Sequence, residues 1–187
     1  CVEQTENPLT DCLSKLGYTT DDITDVVLTH LHFDHAGGAT AKNFKGEVVP
    51  MFDRATYHVS LTNWSAGMSP SPRDRASYLK INFEPLEKHG VLQLVSDNAT
   101  ILDGISTYSV NGHTTGQQLV KVSDGGQTLV FCSDLIPLRS HLKLPWIMGY
   151  DLNAALSLSE KTAFLEEAHR NDWWLFFYHD PKTVAVK

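Results

Sequence analysis

The chain has 187 residues, of which 42% are hydrophobic and 20% are charged, so it is long enough to form one domain with its own core. Its aromatic content of 10% and its mean hydropathy of -0.20 exclude intrinsic disorder, and no stretch approaches the ~18 uninterrupted apolar residues of a transmembrane helix. Because a net charge of -7 makes the surface repel phosphate backbones, general binding to nucleic acid is disfavoured. We therefore predict a single domain over residues 1–187, with neither a membrane nor a nucleic-acid partner.

The cysteines indicate the cellular compartment. Cys1, Cys12 and Cys132 cannot all pair within one chain, and they lack the spacing of a metal knuckle. They are typical of reduced thiols in a cytoplasmic protein, although a secreted protein with one free thiol is an alternative. The first residues are polar and acidic, unlike a secretory signal peptide. We therefore predict a cytoplasmic location.

The N-terminal part of the chain predicts a helix and then a strand. Asn7 followed by Pro8 is typical of a helix N-terminus, and Gly17 ends the apolar stripe that follows. The run DVVLT at 25–29 is short and apolar, which indicates a buried strand.

The middle of the chain is less regular. Residues 47–60 contain one or two strands, ending in the alternating run ATYHVS. Residues 65–75 hold two prolines and predict an inserted surface loop, with a lid as one option. Residues 73–89 predict a helix that is broken near Pro85.

The second half of the chain predicts a sheet followed by a helix and a last strand. Asp124-Gly125-Gly126 indicates a hairpin. A long amphipathic helix is predicted over about 152–171 and an apolar strand over 173–178. Four strand-like runs precede them, at 91–95, 105–110, 118–123 and 128–132. Strands with helices at both ends of the chain predict a layered α/β or α+β fold.

The segment THLHFDH at 29–35 carries four side chains that can bind a metal: His30, His32, Asp34 and His35. In an extended chain, side chains at i, i+2 and i+4 share a face, so the first three are expected to point together. His35 joins them if the chain turns at Ala36-Gly37-Gly38. Imidazole and carboxylate ligands suit zinc, iron or manganese. The alternative is a solvated histidine-rich turn or an adventitious metal site.

Three further candidate ligands follow in the sequence, each at the end of a predicted strand. His113 lies in NGHTTG, Asp134 follows LVFCS, and His179 follows WWLFFY. Each is weak evidence alone, but sites assemble at strand ends in open sheet folds. Seven ligands exceed the three that a catalytic zinc takes from protein, so the count predicts two metals that share a bridging carboxylate.

HLHFDH, GHTTGQ, Asp134 and His179 occur in an order that resembles the metal motifs of the metallo-β-lactamase superfamily, over about residues 25–181. The resemblance implies a four-layer αββα sandwich of the α/β (α+β) class, with the metals between the sheet edges. It also implies ligand roles: a first metal on His30, His32 and His113, a second on Asp34, His35 and His179, and a bridge through Asp134.

The resemblance implies a dinuclear metal-dependent hydrolase, in which a metal-bridging hydroxide attacks a lactone, ester or organophosphate. Two divalent ions would lower the pKa of the bridging water, with zinc as the first choice and manganese or iron as alternatives. Asp34 is the candidate catalytic residue, because it could relay the proton to the leaving group. An iron-dependent redox enzyme such as a persulfide dioxygenase is one alternative function, and a non-catalytic metal-stabilised fragment or binding module is another.

The layout is similar to the lactonase and methyl-parathion-hydrolase branch of the superfamily, with one departure. Lactonases carry a tyrosine three residues after the bridging aspartate, where this chain has Pro137. Tyr150 or Tyr57 could substitute for it. No lysine or arginine adjoins a metal motif, and Arg139 is expected at the surface. His58, His89, His141 and His169 are likewise predicted to lie on the surface or to pack singly.

Apolar side chains predict the wall of a substrate pocket, with plain core packing as the alternative for each. They imply a small-molecule substrate that is uncharged or weakly charged and has an apolar part. The candidates are Phe33, Trp64, Met68, Leu135, Trp146 and Met148, with Leu138 beside them.

The start of the chain is short for this superfamily. Only 29 residues precede His30, and they read as one helix and a loop where members usually place several strands. We therefore expect a fragment that lacks its N-terminal strands and leaves one sheet with an unpaired edge. Such an edge can pair with another chain, so a homodimer is an open option.

Overall fold

The computed structural model describes residues 8–187, so the helix cap predicted at Asn7 and the thiol of Cys1 lie outside the described residues. The helices are α1 (Pro8–Lys15), α2 (Phe33–Ala36), α3 (Leu61–Met68), α4 (Glu84–Lys88) and α5 (Ala154–Arg170). The strands are β1 (Asp25–Val27), β2 (Thr40–Lys42), β3 (Val48–Pro50), β4 (Thr56–Ser60), β5 (Leu92–Val95), β6 (Thr100–Leu102), β7 (Ile105–Val110), β8 (Gln117–Asp124), β9 (Gln127–Phe131), β10 (Trp174–Phe176) and β11 (Ala185–Val186).

The first sheet is parallel and has the strand order β1-β4-β5. Strands buried on both faces are typical of parallel sheets, and four of the five residues of β4 are buried. Tyr57 and Val59 of β4 pack with Leu31 and Leu86 in the first hydrophobic core. The core also holds Phe83, whose ring meets Trp64 edge to face at 5.4 Å. Within residues 8–187, β1 is an edge strand of this sheet.

The second sheet has the strand order β11-β10-β9-β8-β7-β6 and is antiparallel except between β9 and β10. The predicted hairpin joins β8 to β9 through Gly125 and Gly126, whose φ values of 54° and 78° fit a two-residue turn of the kind that glycine favours. Helix α5 covers this sheet, and its Phe164 contacts Tyr108 and Trp173.

Gln118 joins the two sheets. This fully buried residue of β8 donates its backbone N–H to Thr29 and its side-chain N–H to Leu28, both at 2.8 Å. The segment that follows β1 is therefore held against the second sheet. The result is the expected αββα layering. The candidate metal ligands lie in the segments that follow strands of the two sheets.

Two predictions in the middle of the chain were wrong in part. Residues 73–89 form short 3₁₀ turns at Arg75–Ser77 and Lys80–Asn82 before α4, and Pro85 lies in the first turn of α4. The first turn of a helix does not use its backbone N–H groups, so proline begins this helix rather than breaking it. The loop predicted over 65–75 starts only after α3, which continues to Met68 and is capped at its start by Ser60, whose hydroxyl accepts a hydrogen bond from the N–H of Asn63.

The remaining predicted elements agree with the structure to within a few residues, while the short strands β2, β6 and β11 were not predicted. The cysteines Cys12 and Cys132 are both free, the first exposed and the second buried. Among the described residues, no helix has both the length and the apolar character needed to cross a membrane.

Candidate metal centre

The histidine-rich segment changes conformation in its middle. His30 and His32 follow β1 in irregular chain, and α2 begins at Phe33, so Asp34 and His35 lie on a helical turn. The N–H of His35 bonds the carbonyl of His32 at 3.0 Å. The expected alternation of an extended chain therefore accounts for His30 and His32 alone, and it is the helical turn that orients Asp34 and His35 toward them.

The structure brings His30, His32 and His113 together, and all three are buried. One ring nitrogen from each lies within 4.8 Å of the others, and Nε2 of His113 lies 3.2 Å from Nδ1 of His32. His113 comes from the loop after β7, 81 residues away from His32. Three converging imidazoles form a group that can hold one cation.

A second group combines Asp34, His35 and His179, whose ligand atoms also lie within 4.8 Å of one another. Oδ2 of Asp34 is 3.5 Å from Nε2 of His35 and 3.8 Å from Nε2 of His179. The side chains of Asp34 and His179 are 41% and 37% exposed, whereas that of His35 is buried. This group therefore opens toward solvent on one side.

Asp134 lies between the two groups. Its Oδ2 is 3.2 Å from Nε2 of His113 in the first group and 3.2 Å from Nε2 of His35 in the second. Its Oδ1 is 3.3 Å from Nε2 of His179. All seven candidate ligands predicted from the sequence thus converge, with one carboxylate facing both groups.

Several atoms of this cluster lack partners that a buried polar atom requires. Nε2 of His30, Nε2 of His35 and Oδ1 of Asp134 are buried and make no hydrogen bond of good geometry with the described residues. Lone pairs left free at the centre of such a cluster fit a cation. Imidazoles and carboxylates without a thiolate are a donor set that suits zinc, manganese or iron.

The pKa shifts of His30, His32 and Asp134 agree with a ligand set in its deprotonated form, whereas the contact with Asp134 raises the pKa of His179. Burial lowers the pKa of His32 to about 4 and that of His30 well below its usual value, so both rings are neutral near pH 7. Burial would raise the pKa of Asp134, but the adjacent imidazoles of His179 and His35 outweigh it and hold the pKa well below the usual range. Neutral imidazoles and an ionised carboxylate are the forms that bind metal.

Asp151 is a supporting residue that the sequence analysis did not identify. It is buried, and its Oδ1 lies 2.9 Å from Nδ1 of His113. A carboxylate on the outer nitrogen of a histidine fixes the ring so that the other nitrogen, here Nε2, faces the cluster. Thirty-eight residues separate the two, so no local spacing could have indicated the pair.

Asn63 connects the two loops that carry the histidines. Its Oδ1 accepts from the N–H of Leu31 at 2.9 Å, and its Nδ2 donates to the carbonyl of Thr115 at 2.7 Å. Gly116 lies at φ 73°, and a Cβ there would collide with the backbone nitrogen of Asn63. The GHTTG sequence therefore needs its second glycine because α3 packs directly against it.

Asp134 is held by a strained residue and by a glutamine. Ser133 has φ 46°, which is uncommon for a residue with a side chain. The side-chain oxygen of Gln117, in the amide orientation that satisfies its neighbours, accepts from the N–H of Asp134 at 2.8 Å and from Oγ of Ser133 at 3.0 Å. The strain is therefore offset by hydrogen bonds that direct the carboxylate into the cluster.

A cleft of about 630 Å³ opens beside the cluster. Five candidate ligands reach it: His32, Asp34, His113, Asp134 and His179. The rest of the lining is Phe33, Arg73, Asp74, Ser77, Pro137, Leu138, His141, Met148, Gly149, Tyr150 and Leu152. The wall beyond the ligands is therefore largely apolar, with a few polar groups.

Several side chains expected in the pocket wall lie elsewhere. Phe33 and Met148 line the cleft, but Trp64 and Leu135 are buried in the two hydrophobic cores and Met68 packs against the first of them. Trp146 is half exposed and does not line the cleft. These apolar side chains pack in the hydrophobic cores and not in the cleft wall. Composition alone does not predict which of the two an apolar residue joins.

The polar lining also differs from expectation. Arg73 lines the cleft and donates to the carbonyls of Gly149 and Asp151, so a basic residue distant in sequence does reach the site. His141 lines the cleft as well, although it was expected to lie on the surface or to pack singly.

The two candidate replacements for the lactonase tyrosine lie in different parts of the structure. Tyr150 lines the cleft and is 83% exposed. Tyr57 lies in the first core, where its hydroxyl donates to the carbonyl of Ala39 and accepts from the N–H of Phe52. Only Tyr150 is therefore available from the cleft.

Comparison with known proteins adds a family and several relatives. The profile of the family described as "Metallo-beta-lactamase superfamily" matches residues 2–179. A "Probable metallo-hydrolase" of Mycobacterium tuberculosis is 26% identical over 93% of this chain and 60% of its own length. An N-acyl homoserine lactonase of Bacillus thuringiensis is 24% identical over 94% of this chain and 63% of its own length. The chain thus spans about three fifths of the length of these curated relatives.

Solved structures with the same fold point in the same direction. A probable metal-dependent hydrolase from Staphylococcus aureus superimposes with a TM-score of 0.89 at 27% identity, covering 100% of this chain and 64% of the other. AidC, described as a dizinc quorum-quenching lactonase in complex with a product, superimposes with a TM-score of 0.81 at 22% identity, covering 100% of this chain and 68% of the other. At that identity, the second match supports the fold alone.

Proposed function

The chain belongs to the metallo-β-lactamase superfamily, and on that basis we propose that it is the metal-binding domain of a dinuclear metal-dependent hydrolase. The observation that carries the proposal is the position of Asp134, whose carboxylate lies within 3.3 Å of ligand nitrogens from both histidine groups. A shared carboxylate is the expected feature of a paired metal site. We further propose that residues 1–187 act as one domain, because both sheets contribute ligands to this one cluster.

In this proposal, His30, His32 and His113 hold one metal ion and Asp34, His35 and His179 hold the other, with Asp134 between them. Zinc is the first choice, because neutral imidazoles and carboxylates are ligands that suit it. Manganese and iron remain compatible with the same donor set. The metal pair would supply Lewis-acid polarisation of a substrate oxygen and would lower the pKa of bound water.

The protein residues contribute orientation and proton handling. Asp34 combines a half-exposed carboxylate with a place on the cleft wall, so it can accept a proton there and pass it to a leaving group. Tyr178 supports this residue, since its hydroxyl donates to the backbone carbonyl of Asp34 at 3.2 Å. Burial raises the pKa of Tyr178, so the hydroxyl keeps the proton that makes this bond.

The cleft supports a small uncharged substrate with an apolar part. Phe33, Leu138 and Met148 provide an apolar surface beside the cluster, and the guanidinium of Arg73 is engaged by backbone carbonyls. Apart from the proposed metal ions, the cleft lining offers an anionic substrate little positive charge, because Arg73 already donates to two carbonyls and the carboxylates of Asp34 and Asp74 lie in the same wall. We therefore propose a lactone or ester, with a phosphotriester as the neighbouring possibility.

Metal analysis coupled to a substrate panel tests the proposal. The zinc-reconstituted chain is expected to hold two ions and to hydrolyse at least one of N-hexanoyl homoserine lactone, p-nitrophenyl acetate and a dialkyl aryl phosphotriester. Asp134→Asn should abolish that turnover and weaken metal retention, whereas Asp124→Asn in the exposed β8–β9 hairpin should change neither. A stoichiometry of one ferrous ion with no hydrolysis would favour redox chemistry and refute the proposal. Two bound ions with no turnover across the panel would favour the non-catalytic alternative.

A further inference from the structure

Helix α5 holds the loop that carries His113 through one carboxylate. Oε1 of Glu160 accepts from the N–H of Asn111 at 2.8 Å, and Oε2 accepts from the N–H of Gly112 at 2.9 Å. Hydrogen bonds to a charged acceptor are stronger than neutral ones, and here both oxygens of one group bind consecutive amides. The two residues directly before His113 are therefore fixed relative to α5.

The same loop is closed from its other side by the start of α5. The N–H of Asn153 donates to the carbonyl of Gly112 at 2.9 Å, and that of Leu152 donates to the carbonyl of His113 at 3.1 Å. A Cβ at Gly112 would collide with Ser157 of α5. The loop and the helix thus pack without space for a side chain, so a shift of α5 here would move His113.

The next residue of α5 holds a different segment. Lys161 is fully buried, and its Nζ donates to the carbonyls of His141, Lys143 and Trp146 at 3.0, 3.2 and 2.7 Å. An ammonium group has three N–H donors, and each has one carbonyl acceptor here. A buried charge is retained only where its hydrogen bonds are satisfied, so the position of the segment and the charge of Lys161 depend on each other.

The segment bound by Lys161 forms part of the cleft wall. Residues 138–150 contain one 3₁₀ turn, Arg139–Leu142, and otherwise irregular backbone. Leu138, His141 and Met148 of this segment line the cleft. Since irregular backbone has few hydrogen bonds of its own, three bonds to a single side chain are a major constraint on this wall.

We propose that Glu160 and Lys161 are positioning residues with separate roles, Glu160 for the metal ligand His113 and Lys161 for the cleft wall at 138–150. Neighbouring residues of a helix point about 100° apart, so one turn of α5 reaches both loops without one side chain touching the other's partner. Neither residue contacts the candidate ligands directly. The division of roles rests on the proposed function where zinc binding and substrate turnover are measured, whereas hydrogen exchange in the two segments reports the contacts of Glu160 and Lys161 themselves.

Hydrogen–deuterium exchange and zinc affinity, measured on the full chain loaded with zinc, test the proposal. Glu160→Gln should raise exchange in peptides covering 109–117 and weaken zinc binding at least ~10-fold, as for other residues that orient a ligand, with 138–150 unchanged. Lys161→Met should raise exchange in 138–150 at least ~10-fold and leave zinc affinity within about twofold of the wild type. Glu166→Gln and Arg170→Met, at exposed positions of the same helix, are the matched controls.

Turnover supplies an independent readout. With whichever panel substrate is hydrolysed, Lys161→Met should raise KM with kcat largely retained, whereas Glu160→Gln should lower kcat at limiting zinc and recover with excess zinc. Glu160→Asp and Lys161→Arg keep the charge and should restore part of each property, which also covers a variant that fails to fold. Increased exchange in both segments for both variants, or unchanged zinc affinity in Glu160→Gln, would overturn the proposal. Absence of turnover in the wild type would instead count against the proposed function, since exchange and zinc affinity do not depend on it.

Discussion

Replacing Asn63 by leucine should uncouple the two loops that carry the candidate ligands. The side chain is fully buried, accepts from Leu31 and donates to Thr115 at 2.9 and 2.7 Å, and also approaches the hydroxyl of Tyr78 at 3.3 Å. A leucine of similar size fills the space but leaves the buried N–H of Leu31 and the part-buried carbonyl of Thr115 without partners. Each such group costs about 1–3 kcal/mol. After allowing for the added apolar burial, we expect the free energy of unfolding to fall by about 3 kcal/mol.

Urea denaturation of the metal-free chain measures this loss. With an m value of about 2 kcal/mol per molar, the unfolding midpoint should fall by about 1.5 M. Asn63→Asp is informative beside it, because it keeps an acceptor for Leu31 but places a second oxygen against the carbonyl of Thr115. It should be at least as destabilising as the leucine variant.

Zinc affinity shows whether the coupling matters for the site. Asn63 fixes the two loops relative to each other, and these loops carry His30, His32 and His113. Asn63→Leu should therefore weaken zinc binding as well as lower stability. Ser65→Ala removes an exposed hydrogen bond to Leu61 in the same helix and should change stability by less than about 0.5 kcal/mol. A loss below about 1 kcal/mol for Asn63→Leu, or unchanged zinc affinity in that variant, would refute this reasoning.

Three further predictions follow from the same contacts. Asp151→Asn removes the charged acceptor from Nδ1 of His113 and should weaken zinc binding about 10–100-fold, measured by competition with a chelating dye; an unchanged affinity would mean that Asp151 does not orient the ring. Gly116→Ala should destabilise the chain by more than about 1 kcal/mol in thermal unfolding, because its Cβ would meet the backbone of Asn63. Gly125→Ala, also at positive φ but in open space, should cost less, and equal losses would show that backbone strain alone is responsible. Zinc at 100 times its Kd should stabilise the folded chain by about 2.7 kcal/mol and be reversed by chelation, whereas an unchanged Tm would argue against a metal bound by the native fold.

Local patterns in the sequence determined which residues converge at the cluster. The spacing of HLHFDH and the positions of His113, Asp134 and His179 needed no knowledge of distant contacts, because each of the last three lies three residues beyond the end of β7, β9 or β10. The β8–β9 hairpin was also predictable from local sequence, because two glycines with positive φ suffice to form the turn. The helical turn at Phe33 was not predicted, and it is what brings Asp34 and His35 inward.

Only the tertiary structure decided which residues support the cluster and which form the cleft. Asn63, Asp151 and Glu160 act on loops between 32 and 52 residues away in sequence, and neither periodicity nor composition reports such contacts. Trp64 and Met148 are both large and apolar, yet one is in a core and the other lines the cleft, because burial depends on what the folded chain packs against each side chain. Sequence therefore determined the candidate ligands, whereas packing decided their geometry and the shape of the space beside them.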